Sequence, residues 1–292
     1  MNLSDRLIAQ FHQSSVSATI RKTPGVSAMA GRWWLRVQTE KFRAAMSTLS
    51  PPQVPASVEI PVGLVNVPAV ADAVMKMPPY ILAGEEFSDE MAEWCPTTSK
   101  FISITRVPGS LGYQDIYAPV LGHLRQRGAV RILEVGMGVN DPAAASGMGS
   151  DYIPGSSLMG WSHYFEGSEV HGADIDERCL IDTEWYSTHK VDQRDPASLG
   201  TLASLVNAPL DLIVDDGLHT PEANGNTVAA LLPLLSPSGV MVVEDILPEF
   251  DALWEGLGEW LDGHYEVSYF PSRHLRHNRS PGGGIAIITR RA

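Results

Sequence analysis

Two acid-bearing stretches, Asp215-Asp216-Gly217-Leu218-His219 and Glu244-Asp245, each close a hydrophobic run and so stand where a buried strand would end. If those strands are parallel neighbours, four carboxylates and an imidazole gather along one edge of a sheet. Hard oxygen ligands from two strand ends suit Mg²⁺, which takes a few carboxylates and keeps positions open for substrate oxygens. Any one of these acids read alone is a helix cap. His219, three residues past Asp216, is the candidate general base. A third stretch, Arg131 to Asn140, runs from a strand-like apolar segment into Gly136-Met137-Gly138. Glycines there permit positive φ and let a ligand lie against bare backbone, as a nucleotide-type cofactor requires at the carboxyl end of a strand. The third glycine of a dinucleotide fingerprint is missing, and Asp174 falls well beyond the roughly 20 residues that usually separate that fingerprint from its ribose-binding acid. NAD is therefore disfavoured, while Asp174 remains placed to accept both hydrogen bonds of a ribose diol. Asp176 reads equally as a second ligand or as the cap of the segment that follows.

These residues need a scaffold that brings strand ends together. From Tyr113 a helical face of Tyr113, Tyr117, Val120, Leu121 and Leu124 leads into the Arg131 strand. Strand-like runs then alternate with helical stretches at Val170 to Asp174, Lys190-Val191, Leu210 to Asp215, Val240 to Glu244, Tyr265 to Phe270 and Ile285 to Thr289. Such alternation predicts an α/β fold with a mainly parallel sheet covered by helices. The Gly, Ser and Ala-rich segment from Val139 to Ser157 is long for a βα connection and is read as a lid over the cofactor.

Residues 1–110 are expected to form a helical appendage carrying acceptor or oligomer contacts, with the main domain over 111–292. A first helix is expected after Ser4 and Asp5, and a longer one carries Leu35, Phe42, Met46 and Leu49 on one face before Ser50-Pro51-Pro52. A proline-rich connection through Pro61 leads to helical patterns at Val70 to Met77 and Ser88 to Trp94. Trp33 and Trp34 read as core or docking aromatics rather than as a substrate pocket.

Composition narrows the partner. The 292 residues carry a formal charge of -13, which repels nucleic-acid phosphate and anionic lipid and leaves a small-molecule acceptor as the expected partner. Cys95 and Cys179, the only two cysteines, are too few for a disulfide framework and suit a reducing cytoplasm. Neither a secretory h-region nor an apolar run of membrane-spanning length is evident, and a homo-oligomer is expected.

From Tyr113 to Thr289 the chain resembles the class I S-adenosylmethionine-dependent methyltransferases, and within them the metal-dependent sugar O-methyltransferases of the macrocin and mycinamicin type, with cephalosporin hydroxylase-like relatives. The resemblance rests on Leu133-Glu134-Val135-Gly136-Met137-Gly138, Gly155 to Trp161 with Tyr164-Phe165, Gly172-Ala173-Asp174-Ile175-Asp176, Asp192-Gln193-Arg194-Asp195-Pro196, Asp215 to His219 and Val243-Glu244-Asp245-Ile246. It implies a Rossmann-like sheet whose last strand is antiparallel. It also implies that Glu134, Gly136 and Gly138 bound the methionine end of the cofactor, that Asp174 holds the ribose and that Asp192 and Gln193 sit near the adenine. Met137, Ser157 and Asp215 belong to the same implied site. Asp216, Glu244 and Asp245 would bind the metal. Leu218 stands where the family usually has Ser, and Thr98-Ser99-Lys100 resembles an upstream motif that helps close the site. The implied activity is methylation of a hydroxyl on a secondary metabolite, a glycosyl or vicinal-diol group among the acceptors that fit. Transfer to nitrogen or a phenol, and a catalytically silent partner subunit, are the alternatives.

Overall fold

The computed structural model describes residues 24–53, 83–95, 112–144, 150–207, 209–261, 263–272, 275–277, 280–281 and 283–291. The helix expected after Ser4, the Pro61 connection, the helix from Val70 to Met77 and Thr98-Ser99-Lys100 lie outside the described residues. The sheet is built around β1 (Arg131–Val135), flanked by β2 (Glu169–Asp174), β3 (Ser187–Lys190), β4 (Leu210–Asp215) and β5 (Leu235–Ile246), all parallel. At the far edge β6 (Tyr265–Phe270) and the last strand β7 (Gly284–Arg290) complete seven strands in the order β3-β2-β1-β4-β5-β7-β6, with β7 antiparallel to both neighbours.

Strand burial explains the central register. Ile132, Leu133 and Val135 of β1, and all six residues of β4, are buried because helices cover both faces. On one face lie α2 (Ala83–Trp94), α3 (Tyr113–Arg127) and α4 (Ser156–Tyr164), which pack Phe87, Ile116, Tyr117 and Trp161 against Ile132, Leu212 and Val242. On the other, α1 (Pro24–Met46), α5 (Pro196–Val206) and α6 (Pro221–Leu231) bury Phe42, Met46, Leu199 and Val228 against Leu133, Ile213 and Val243. Proline at the first position of α5 and of α6 presets φ, and Asp195 and Thr220 cap them by accepting Ala197 N–H (3.0 Å) and Ala223 N–H (3.3 Å).

Several boundaries differ from the sequence expectation. β3 begins at Ser187 instead of Lys190, because its Ser-Thr-His-Lys stretch is a polar edge strand whose pairing with β2 is made by the main chain. β5 continues on both sides of Val240 to Glu244, since Leu235 pairs with Leu210 and Ile246 with Gly284 across register shifts. α1 packs into the same apolar cluster as the sheet. Gly225 of α6 lets it approach, for a Cβ there would lie 3.0 Å from the Phe42 ring. Trp34 packs on Phe250 with ring centroids 5.2 Å apart, whereas Trp33 is 58% exposed. Among the described residues no helix is long and apolar enough to cross a membrane.

A histidine pair ties β2 to β3. His171 Nδ1 lies 3.0 Å from His189 Nε2, a distance at which one nitrogen must offer a lone pair, so at least one ring is neutral. Burial first, and the facing His171 second, lower the His189 pKa from its ordinary 6.5. The folded chain thus binds fewer protons than the unfolded chain once pH falls below about 6.5, and stability present above that pH should be lost as pH drops toward the folded value. Melting temperatures recorded from neutral pH down to about pH 5 should decline, and His189→Gln should flatten the decline. An unchanged profile in the variant would assign the loss elsewhere.

Candidate functional site

The carboxyl ends of β1, β4 and β5 converge, and a glycine makes the convergence possible. Gly136 follows β1 with φ +97°, and a Cβ on it would lie 2.2 Å from the Asp216 carbonyl oxygen. The turns after β1 and β4 therefore touch through backbone alone, clamped by Asp216 N–H donating to Val135 C=O at 2.8 Å. Gly138 also has positive φ (+67°), and between the two Met137 donates its N–H to Asp174 Oδ2 at 2.8 Å. Asp174, at the end of β2, accepts Asp176 N–H on its other oxygen at 2.9 Å. Tyr152, beyond the undescribed residues 145–149 of the connection, donates its hydroxyl to Met137 C=O at 2.6 Å.

Glu134 is buried mid-strand, and α4 satisfies both its oxygens: Ser157 Oγ donates to Oε1 at 2.7 Å and Trp161 Nε1 to Oε2 at 2.6 Å. A buried carboxylate requires such partners. Asp215 is fully buried at the end of β4 and is held by Gln193 Nε2 (2.7 Å) and Asn224 Nδ2 (3.0 Å). Burial pushes its pKa up, and those two donors work against the shift. Gln193 also donates to Thr227 and accepts Leu218 N–H at 2.8 Å, fixing the turn that carries Asp216 and His219. Asp192 faces Arg194 instead, whose guanidinium lowers its pKa.

Asp216, His219 and Asp245 bring one ligand atom each within 4.8 Å of one another. His219 Nε2 stands 3.9 Å from Asp216 Oδ1, while its Nδ1 is buried with no hydrogen-bond partner among the described residues. His219 (φ +54°) and Asp245 (φ +50°) are two of the three described non-glycine residues in left-handed backbone. Such strain persists where surrounding structure enforces it, and it collects at functional sites. Glu244 is not in this group. Glu244 accepts the Tyr117 hydroxyl of α3 at 2.5 Å, and Asp245, whose left-handed backbone breaks the strand alternation, meets Tyr113 of the same helix at 2.6 Å. Burial, then the charges of Asp245 and Glu244, raise the Tyr113 pKa well above the usual tyrosine value, so it serves as a hydroxyl donor.

The structure thus brings Gly136, Met137, Gly138 and Asp174 together at one turn, Gln193 and Asp215 beneath the next, and Asp216, His219 and Asp245 beside them. It sets Glu134 with Ser157 below the first turn and Asp192 at the rim. Sequence reading placed Tyr113 and Tyr117 in a packing face and Trp161 only within a resemblance motif, and it missed their hydroxyl and indole bonds to the acids. The available signal was two tyrosines one helical turn apart, polar-tipped residues on a face that was otherwise aliphatic.

A model described as a methyltransferase domain matches residues 143–246. Over that stretch the chain resembles a methyltransferase domain. Its matched stretch takes in Asp174, Asp216, His219, Glu244 and Asp245 and begins after the glycine turn. Among curated relatives, the 8-demethyl-8-alpha-L-rhamnosyl tetracenomycin-C 2'-O-methyltransferase of Streptomyces olivaceus is 34% identical over 55% of this chain and 42% of its own. The mycinamicin VI 2''-O-methyltransferase of Micromonospora griseorubida is 28% identical over 65% of this chain and 46% of its own. The chain thus spans less than half the length of these relatives. The solved structure of MycE methyltransferase from the mycinamycin biosynthetic pathway, in complex with Mg and SAH, covers 70% of this chain and 54% of that chain at 23% identity and a TM-score of 0.48. The sheet carries its acids and its glycine turn at the same end, where ligands of open α/β sheets bind.

Proposed function

We propose that this chain is an S-adenosylmethionine-dependent, divalent-cation-dependent O-methyltransferase that acts on a hydroxyl of a small glycosylated secondary metabolite. One observation carries the reading: Asp216, His219 and Asp245 converge beside the turn that Gly136 closes. Two carboxylates from adjacent strand ends fit a hard divalent cation such as Mg²⁺, with an imidazole close enough to serve as base. The oxygen acceptor follows from that donor set, because a hard cation prefers an oxygen to an amine. The relatives named above carry sugar hydroxyl positions in their names, which agrees with it.

Asp216 and Asp245 would hold the cation, with Glu244 adding negative charge one residue away. Asp174 would take the ribose hydroxyls, Met137 and its flanking glycines the methionine portion, and Gln193 and Asp192 the adenine side. When bound, the cation supplies Lewis acidity toward an acceptor oxygen, and S-adenosylmethionine supplies the methyl group. The chain's own contribution is placement. The Gly136 contact fixes the distance between cofactor turn and acid turn, and the strained His219 backbone holds the imidazole at that junction. His219 Nε2 takes the acceptor's proton, and Asp216 beside it steadies the imidazolium.

The test is calorimetry with S-adenosylhomocysteine. Wild-type protein should bind it and should not bind NAD. Asp174→Ala should weaken binding by about 1 to 3 kcal/mol, the cost of stranding ribose hydroxyls together with Met137 N–H. Binding of NAD in place of S-adenosylhomocysteine would overturn the reading.

A further inference from the structure

Tyr113 and Tyr117 stand one helical turn apart on α3 and reach consecutive acids at the end of β5. Their settings differ. Tyr117 and Glu244 are both 1% exposed, and the Tyr117 ring packs against Phe87 and Trp161, so this bond belongs to the interior. Tyr113 instead grips Asp245 twice with one oxygen, donating to Oδ1 at 2.6 Å and accepting the Asp245 backbone N–H at 3.1 Å. Main chain and side chain of the same residue are thus fixed by a single hydroxyl. Asp245 is held from the other side as well, since a Cβ on Gly283 would lie 2.2 Å from its Cα. Between these two contacts the residue keeps its left-handed backbone, which an L-amino acid adopts only when its surroundings impose it.

We propose that Tyr113 is a positioning residue for the divalent cation that Asp216 and Asp245 would hold, a proposal that rests on the cation reading above. By fixing the Asp245 main chain and one carboxylate oxygen, the hydroxyl leaves the other oxygen to point where Asp216 and His219 converge. The Gly283 carbonyl, 3.3 Å from the same hydroxyl, supplies a second acceptor. Should the carboxylate turn toward a cation, the Tyr113 hydroxyl swings its hydrogen bond to that carbonyl with its O–H bond intact, while the backbone N–H bond stays in place. The hydroxyl keeps a partner in either state, and the acid is free to ligate without giving up its backbone conformation.

Mn²⁺ binding to the full chain, followed by calorimetry and by the electron paramagnetic resonance of free Mn²⁺, tests the proposal alongside S-adenosylhomocysteine binding. Tyr113→Phe keeps the ring and removes only the oxygen. It should weaken Mn²⁺ binding by about 10-fold to 100-fold, as loss of a hydrogen bond to a metal ligand does, and leave S-adenosylhomocysteine affinity unchanged. Tyr113→Phe combined with Asp245→Asn should bind Mn²⁺ no more weakly than Asp245→Asn alone, because the tyrosine acts through that carboxylate. Equal Mn²⁺ affinity in wild type and Tyr113→Phe overturns the proposal, as does a loss that simply adds to that of Asp245→Asn. A wild-type chain that binds S-adenosylhomocysteine but no Mn²⁺ sinks the cation reading itself, a result distinct from either.

Discussion

Methyl transfer should cease in EDTA and return on addition of Mg²⁺, while S-adenosylhomocysteine binding changes little. The expectation follows from the separation of two groups of residues. Asp174, Met137 and Gln193 are each tied to backbone or side-chain partners and need no ion, whereas Asp216 and Asp245 bring two like charges together beside His219. Asp216→Ala should behave like chelation. His219→Ala should retain Mn²⁺ and lose about 10² to 10⁴ in rate, the range for removal of a general base. If His219→Ala loses Mn²⁺ together with the rate, the imidazole is a ligand and the base lies elsewhere. Full activity in EDTA would remove the cation from the mechanism.

The parts of this arrangement legible in the sequence are those governed by local rules. β1 and β4 are covered on both faces, so their apolar runs stand out against any flank, and parallel strands must deliver Asp174, Asp216 and Asp245 to a common edge. Gly136 could be singled out as a turn. That its missing side chain is what admits the Asp216 carbonyl depends on the β1 to β4 register, which no local pattern encodes. Grouping by strand end also placed Glu244 with Asp245, whereas Glu244 is buried against Tyr117 and only Asp245, turned by its left-handed backbone, joins Asp216 and His219. The tyrosines themselves were hidden by their own periodicity, since a helix that buries Tyr113, Tyr117, Val120, Leu121 and Leu124 reads as plain core. The start of β3 escaped for the opposite reason. Its side chains are half exposed and polar, and only pairing with β2 makes it a strand.

Gly136→Ala should damage fold and site together. The alanine Cβ would meet Asp216 O at 2.2 Å, Asp216 C at 2.5 Å and Gly217 Cα at 2.6 Å, all main-chain atoms that no rotamer change can move aside. It would also sit at φ +97°, a conformation that costs an L-residue about 1 to 2 kcal/mol. Relief requires β1 and β4 to part at their carboxyl ends, which stretches the Asp216 N–H bond to Val135 and carries Asp216 away from Asp245. Strain and overpacking together amount to about 2 to 5 kcal/mol, a fall in melting temperature of roughly 3 to 8 °C for a chain of this size. Gly128 separates the two causes, because it has nearly the same φ (+93°) and a Cβ there would meet nothing within 4 Å. Gly128→Ala should therefore lose only the conformational part, about 1 to 3 kcal/mol, and bind Mn²⁺ and S-adenosylhomocysteine like wild type. Gly136→Ala should lose both ligands in protein that is still folded well below its melting temperature. Equal losses in the two variants would show that backbone strain alone is at work, and that contact between the cofactor turn and the acid turn does not hold the site together.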